Sequence, residues 1–342
     1  MSRKRVDLLL PSLTIESVAA EGKAVAHYEG MVVFVDFAVP GDVVDVQVLK
    51  KKKNYMEGRV RRIVKPSDAR LEPICPHFGV CGGCRWQPLP YSMQLEAKRQ
   101  QVYDQLVRIG HLNVPQIRPT LPSSRTEFYR NKLEFSASAR RWILSEEDPE
   151  TIPEEDLPGL GFHVGKFFDK VLDIKDCHLQ KEPSNALRLF VKRFCLENGY
   201  TFYNIRENTG YFRGMFVRTN EAGDVMLIMC FGFEDKDRRT ALLDALIREF
   251  PEIKSLYYIV NTKVNDSVTD QVPVLYYGED AIYEQMEGLS FKIGPKSFYQ
   301  TNSLQAYELY KVAREFASLT GKEIASPKGE GAAYGGKGSS YQ

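Results

Sequence analysis

Cys75-Pro-His-Phe-Gly-Val-Cys81-Gly-Gly-Cys84-Arg-Trp-Gln87 places three thiols within ten residues and sets two glycines between the last pair. Thiolates are soft ligands suited to zinc or to iron–sulphur clusters, and Gly82 and Gly83 let a short chain fold tightly around such a centre. The remaining thiols are Cys177, Cys195 and Cys230. Cys195 lies on the apolar stripe of a helical pattern and Cys230 lies inside an apolar run, so both read as core residues. Cys177, in Asp173-Ile-Lys-Asp-Cys177-His-Leu-Gln180, therefore completes the expected metal set of Cys75, Cys81, Cys84 and Cys177. Gaps of five residues and then two, with a distant fourth ligand, are unlike the paired knuckles of zinc ribbons and favour an iron–sulphur centre. Zinc with His77 or His178 in the set stays open at this level. A redox pair at Cys81 and Cys84 lacks a thioredoxin-like strand and helix around it.

Outside this stretch the totals bound the answer. A chain of 342 residues has room for two or three cores, and its net charge of +1 gives no global argument for a nucleic-acid or membrane partner. Local charge has to carry that argument. The basic start Met1 to Pro11 has only Leu8 to Leu10 as an apolar run, too short for a signal sequence. Val225 to Phe233, the longest apolar stretch, falls far short of a bilayer span. The expectation is a cytoplasmic monomer with no membrane partner, its thiols kept reduced and available to metal.

From Leu13 to Pro66 short alternating β-branched segments, Met31 to Phe37, Val43 to Leu49 and Gly58 to Val64, are punctuated by Gly30 and Pro40-Gly41. They predict a small antiparallel barrel. Lys50, Lys51, Lys52, Lys53, Arg59, Arg61 and Arg62, followed by Lys65, crowd its last section against the acid Glu57. Such a cluster suits a phosphate backbone, which makes these seven residues the candidate RNA contacts; the bland reading is a solvated edge strand.

Tyr91 to Leu112 predicts a helix with Leu95, Val102, Leu106 and Ile109 on one face and Gly110 at its end. The chain turns β-like from Phe128 to Gln180, interrupted by the acidic, proline-bearing excursion Ser145 to Pro158. Gly159, Gly161 and Gly165 miss the spacing of a nucleotide-binding loop and read as strand and turn glycines. Two amphipathic helices follow. The first is capped by Ser184 and carries Leu187, Phe190, Val191, Phe194 and Cys195; the second carries Leu242, Leu243, Leu246, Ile247 and Phe250 and stops at Pro251. With the strands between Phe212 and Asn261 they predict a sheet covered by helices. Asn302 or Ser303 starts a last helix ended by Gly321, and Pro327 to Gln342 is too poor in apolar residues to fold.

With these pieces placed, the chain resembles the bacterial RNA uracil-5-methyltransferases, in particular the iron–sulphur branch acting on large-subunit ribosomal RNA. The likeness runs from about Leu13 to Gly321 and rests on the barrel, the four cysteines, Tyr129-Arg-Asn-Lys-Leu-Glu-Phe135, Gly161-Phe-His163 and Ser297-Phe-Tyr-Gln300-Thr-Asn302. The resemblance implies a multidomain α+β protein: a TRAM or OB-like barrel over 1–66, a central iron–sulphur domain over 67–90 and 113–290, and the leading edge of a Rossmann-like methyltransferase domain over 91–112 and 291–322, with an atypical tail over 323–342. It implies a four-iron, four-sulphur cluster, S-adenosylmethionine contacted by Gln300, and ribosomal RNA as partner. The family's donor-binding loop, catalytic cysteine and terminal glutamate have no counterpart here. The expectation is thus a shortened methyltransferase with an incomplete donor pocket, inactive alone, or else a non-catalytic iron–sulphur RNA-binding protein.

Overall fold

The computed structural model describes residues 8–165, 167, 169–265 and 267–318. The expected tail over 323–342 and the helix end at Gly321 lie outside them.

Six strands build the first unit: β1 (Leu8–Thr14), β2 (Ser17–Val18), β3 (Ala24–Tyr28), β4 (Met31–Asp36), β5 (Val43–Lys51) and β6 (Tyr55–Lys65), in the order β1-β5-β6-β4-β3-β2. Alternation decides what they bury. Leu10, Ala24, Ala26, Val33, Val35, Val44, Val46 and Met56 form one core, so strands far apart in the pairing order share an interior and the sheet is wrapped on itself. The fully antiparallel barrel expected from the sequence needs one correction: β4 pairs with β6 in parallel. Strand alternation specifies faces, whereas pairing direction depends on a long-range choice that no local pattern carries.

A seven-stranded sheet forms the centre, from β7 (Lys132–Ser138), β8 (Gly159–His163), β9 (Val171–Asp173), β10 (Phe212–Thr219), β11 (Val225–Phe231), β12 (Ile253–Val260) and β13 (Val274–Gly278), ordered β13-β12-β11-β10-β7-β8-β9. The β11–β12 pair is parallel, as a strand, helix and strand unit requires. All seven residues of β11 are buried because both its faces are covered. Val225, Leu227, Met229 and Phe231 join the core under α2 (Ser184–Glu197) and α3 (Lys236–Glu249). Met226, Ile228 and Cys230 face the other way, against Ile282 and Ile293 of the hairpin β14 (Ile282–Met286) and β15 (Leu289–Ile293).

Leu187, Val191 and Cys195 of α2 are fully buried, as their spacing predicts, and Gly199 follows at φ +64°. Ser184 does not cap this helix. Its hydroxyl donates to the Gln180 side chain at 2.6 Å, and Pro183 occupies the cap position. The helix after the cysteine loop, α1 (Tyr91–Tyr103), also departs from expectation: none of its residues is buried, and Val102 is 44% exposed. Beyond it, Asp104–Ile109 widens into a looser turn that closes with Gly110 N–H donating to the Gln105 carbonyl at 2.8 Å. Periodicity identifies an apolar face but not what covers it. In α4 (Ser303–Phe316), Asn302 caps by accepting from the Gln305 N–H, and Leu309 and Phe316 stay exposed.

Candidate metal centre and nucleic-acid surface

The cysteine loop is fixed at both ends. Cys75 N–H donates to the Gln87 side chain at 3.1 Å, and Gln94 of α1 donates to the carbonyls of Trp86 and Leu89. Its middle lies on the central sheet. Cys81 bridges to Val164 just past β8, and a β-carbon at Gly82 would come within 2.9 Å of the His163 carbonyl oxygen, which explains the small residue there. Gly161 serves β8 in the same way, since a β-carbon would meet the Leu172 carbonyl oxygen at 2.1 Å. Gly159 and Gly161 are thus strand glycines and Gly165 a turn glycine, as expected of the three.

Cys177 reaches the same place from the far side of the chain. Asn185 in the first turn of α2 accepts from Cys177 N–H at 3.0 Å and returns a bond to its carbonyl at 3.3 Å. Cys75, Cys81, Cys84 and Cys177 all line one cavity of about 1410 Å³. Burial pushes the Cys177 thiol up to about 11, and the three other thiols push it the same way. Cys75 and Cys81 are raised for the same reasons. Cys75, Cys81 and Cys177 thus become thiolates readily only beside a cation that reverses this balance.

The two histidines differ: His77 has its acceptor nitrogen engaged, whereas His178 lines the same cavity with only Nε2 paired, so a Cys3His zinc site through His178 stays chemically open. His77 Nε2 accepts from Lys175 N–H at 2.9 Å, which leaves the proton on Nδ1, and burial lowers its basicity. His178 Nε2 faces the Asp176 carboxylate at 3.3 Å. Among the described residues, no group of three or more His, Cys, Asp or Glu side chains could hold a metal ion as they stand. The four thiols nonetheless line one cavity. Sulphurs on one tetrahedral zinc lie about 3.8 Å apart, given a zinc–sulphur bond of about 2.3 Å. An iron–sulphur cluster spreads its thiolates over a larger body. Trp86 Nε1, Arg130 Nε and His163 Nδ1, on residues lining the same cavity, are buried without a hydrogen-bond partner. The soft donor set and the unsatisfied polar atoms suit such a cluster.

Two motifs separated by 170 residues in sequence meet beside this cavity, an association no local pattern announces. Asn131 N–H donates to the Thr301 carbonyl at 2.8 Å, and its side chain donates to the Gln300 carbonyl at 2.8 Å and to Ser303 Oγ at 3.0 Å. Arg218 adds a bond to the Ser297 carbonyl at 2.7 Å. Ser303 Oγ donates in turn to Glu284 at 3.0 Å, a buried carboxyl whose proton affinity is raised by desolvation. Gln300 is exposed and lines a smaller cavity of about 390 Å³, which shares Thr120, Leu121, Asn302 and Gln305 with the cysteine cavity. The 113–127 connection thus joins α1 to α4: Thr120 donates to the Leu95 carbonyl and Ser123 N–H to the Tyr91 hydroxyl of α1, and Gln305 of α4 donates to the Leu121 carbonyl.

On the barrel, Lys51, Lys52, Lys53, Arg59 and Arg61 are exposed with no ion-pair partner among the described residues. Two of the seven expected contacts are paired. Lys50 meets Glu57 at 2.9 Å and Arg62 meets Asp45 at 2.8 Å. Asp45, read in sequence only as part of a strand, is buried, accepts from Ser12 N–H at 3.0 Å and so is held below the ordinary carboxylate range.

A TRAM domain model matches residues 12–60. An uncharacterized RNA methyltransferase of Porphyromonas gingivalis is 50% identical over 91% of this chain and 68% of its own length. One of Bacteroides thetaiotaomicron is 48% identical over 90% of this chain and 68% of its own length. Among solved structures, the Pyrococcus abyssi tRNA (uracil-54, C5)-methyltransferase in complex with S-adenosyl-L-homocysteine aligns with a TM-score of 0.62 and 24% identity, covering 89% of this chain and 65% of the other; that likeness speaks for the fold. No described helix is long and apolar enough to cross a membrane.

Proposed function

The chain belongs to the RNA methyltransferase family of these relatives, and from that premise we propose that it serves S-adenosylmethionine-dependent methylation of uracil carbon 5, with large-subunit ribosomal RNA as substrate. Cys75, Cys81, Cys84 and Cys177 hold a four-iron, four-sulphur cluster in this reading. Its support is the convergence of four thiols from two distant segments on one cavity next to Gln300. The cluster, when bound, compensates the thiolates and ties the cysteine loop to the start of α2; the polypeptide does the rest.

Carbon 5 of uracil is a weak nucleophile until a thiolate adds at carbon 6 and makes it enolate-like; it then takes the donor's methyl group, the sulphonium leaving as a thioether, and a base removes the carbon 5 proton as the carbon 6–sulphur bond breaks and frees the thiolate. The described cysteines have other roles, four at the cavity and Cys195 and Cys230 buried in the two faces of the sheet. The described residues therefore recognise and orient: the basic strand of the barrel takes phosphates, and the Asn131–Gln300 junction presents one wall of the donor site. The protein acts as a cytoplasmic monomer.

Nucleoside mass spectrometry of ribosomal and transfer RNA, from cells with and without the gene, tests this reading. Loss of 5-methyluridine at one ribosomal position, restored by the gene, is the expected result. Loss in transfer RNA alone would reassign the substrate. Unchanged 5-methyluridine in both would refute uracil methylation and favour a non-catalytic RNA-binding role.

A further inference from the structure

We infer that the outer face of the barrel carries a base-stacking site for single-stranded RNA, built from Phe34 and Tyr55. This deepens the RNA reading above and rests on it. Strand parity puts both rings outside. Val33 and Val35 are fully buried, so Phe34 between them faces away from the interior, and Met56 and Gly58 point inward, so Tyr55 and Glu57 point out. The parallel register of β4 and β6 aligns Val32 with Tyr55 and Phe34 with Glu57, which makes the two rings diagonal neighbours. Their centroids are 5.8 Å apart at an interplanar angle of 72°. Both are half-buried and neither joins the core beneath.

Cations frame the pair. Lys23 Nζ lies 6.0 Å from the Phe34 centroid and Lys50 Nζ lies 5.9 Å from that of Tyr55. Glu57 holds both ammonium groups, at 3.6 and 2.9 Å. The centre of the patch is thus aromatic, with one carboxylate between two ammonium groups, while Lys51, Lys52 and Lys53 at the β5–β6 turn and Arg59 farther along β6 flank it with exposed positive charge, unpaired among the described residues. Phosphates go to the flanks and a base face goes to the centre. That division fits a single strand, whose bases are free to splay and stack on aromatic rings, and does not fit a duplex, whose base faces are already stacked. An acidic peptide would use the flanks and leave the rings idle.

The test compares this chain with three variants: Phe34→Leu with Tyr55→Leu, Phe34→Tyr with Tyr55→Phe, and Lys51, Lys52 and Lys53 all →Ser. Fluorescence anisotropy measures binding of labelled oligouridine, of a duplex RNA of the same length and of polyglutamate over a salt series. The leucine variant should bind oligouridine on the order of ten-fold more weakly, with an unchanged salt slope and unchanged duplex binding. The aromatic exchange should bind as the parent does, which also guards against a leucine variant that folds poorly. The serine variant should lose about two from the logarithmic salt slope, at about 0.7 for each lost phosphate contact on a single strand. Parent-like oligouridine binding by the leucine variant would overturn the stacking site alone. Polyglutamate binding as tight as oligouridine binding and equally sensitive to the leucine changes would overturn it in favour of a protein partner. Failure of the parent chain to bind either RNA would overturn the RNA reading as well.

Discussion

Asn131 ties the two motifs beside the cysteine cavity, and removing its side chain as Asn131→Ala should have an effect that can be worked out bond by bond. The main-chain bonds survive, from Asn131 N–H to the Thr301 carbonyl at 2.8 Å and from Thr219 N–H to the Asn131 carbonyl at 2.9 Å. Two side-chain bonds are lost, and they are not equivalent. The Gln300 carbonyl belongs to an exposed residue, so water replaces the lost donor and the cost is about 0.5 kcal/mol. Ser303 is only 7% exposed, and its oxygen is left without a donor, at about 1.5 kcal/mol. The sum is about 2 kcal/mol. Asn131→Asp should cost more, because it turns acceptors toward the Gln300 carbonyl and adds negative charge near the Ser303–Glu284 pair. Urea unfolding followed by circular dichroism gives the first number, and amide hydrogen exchange over 297–305 gives the location. The expected result is a lower midpoint, lower still for Asp, with faster exchange in that segment and none in the barrel. An Ala variant within 0.3 kcal/mol of the parent, taking that figure as roughly the scatter of such comparisons, would refute the reasoning.

Cys177→Ser should strip most of the iron from anaerobically purified protein, while Cys195→Ser should keep the iron and destabilise the core by about 2 kcal/mol through a buried, unpartnered hydroxyl; iron assay and melting separate the two. Asn185→Ala releases the Cys177 main chain from α2 and should speed cluster loss to a chelator several-fold, read as decay of visible absorbance. Glu147 is drawn down from the ordinary 4.5 to about 2, chiefly by the Arg141 guanidinium and then by the Leu144 N–H. Its stabilising contribution is complete above about pH 4.5 and is lost as pH falls through about 2, so Glu147→Gln should cost about 1 kcal/mol at neutral pH and nothing at the acid end of a stability–pH profile. Leu227→Ala, in the middle of a strand covered on both faces, should cost about 3 kcal/mol in urea unfolding.

The elements most legible in sequence were those whose burial pattern is local. β11 reads as a central strand because seven consecutive apolar residues need two covered faces, and the structure supplies α2 and α3 on one side and the β14–β15 hairpin on the other. The stripe Leu187, Val191 and Cys195 is equally direct. Cys195 and Cys230 lie in cores, as their patterns predict, but Cys177 belongs to the same core as Cys195, so burial alone does not single it out; its place on the cavity wall with the other three thiols does. What stayed hidden depends on distant partners. The parallel β4–β6 pairing, the Asn131 junction and the Phe34–Tyr55 pair each join segments whose association no window of sequence encodes. Ser184 was misleading for a related reason, since a hydroxyl near a helix start is a local signal, and here the buried Gln180 side chain outcompetes the helix for it.

The most direct measurement is the content of iron, acid-labile sulphide and zinc in the protein purified without oxygen. Four iron and four sulphide per chain, with visible absorbance that vanishes in Cys81→Ala, are expected for a cluster held by the four cysteines. One zinc per chain with no sulphide, or metal-free protein of unchanged stability, would contradict the account.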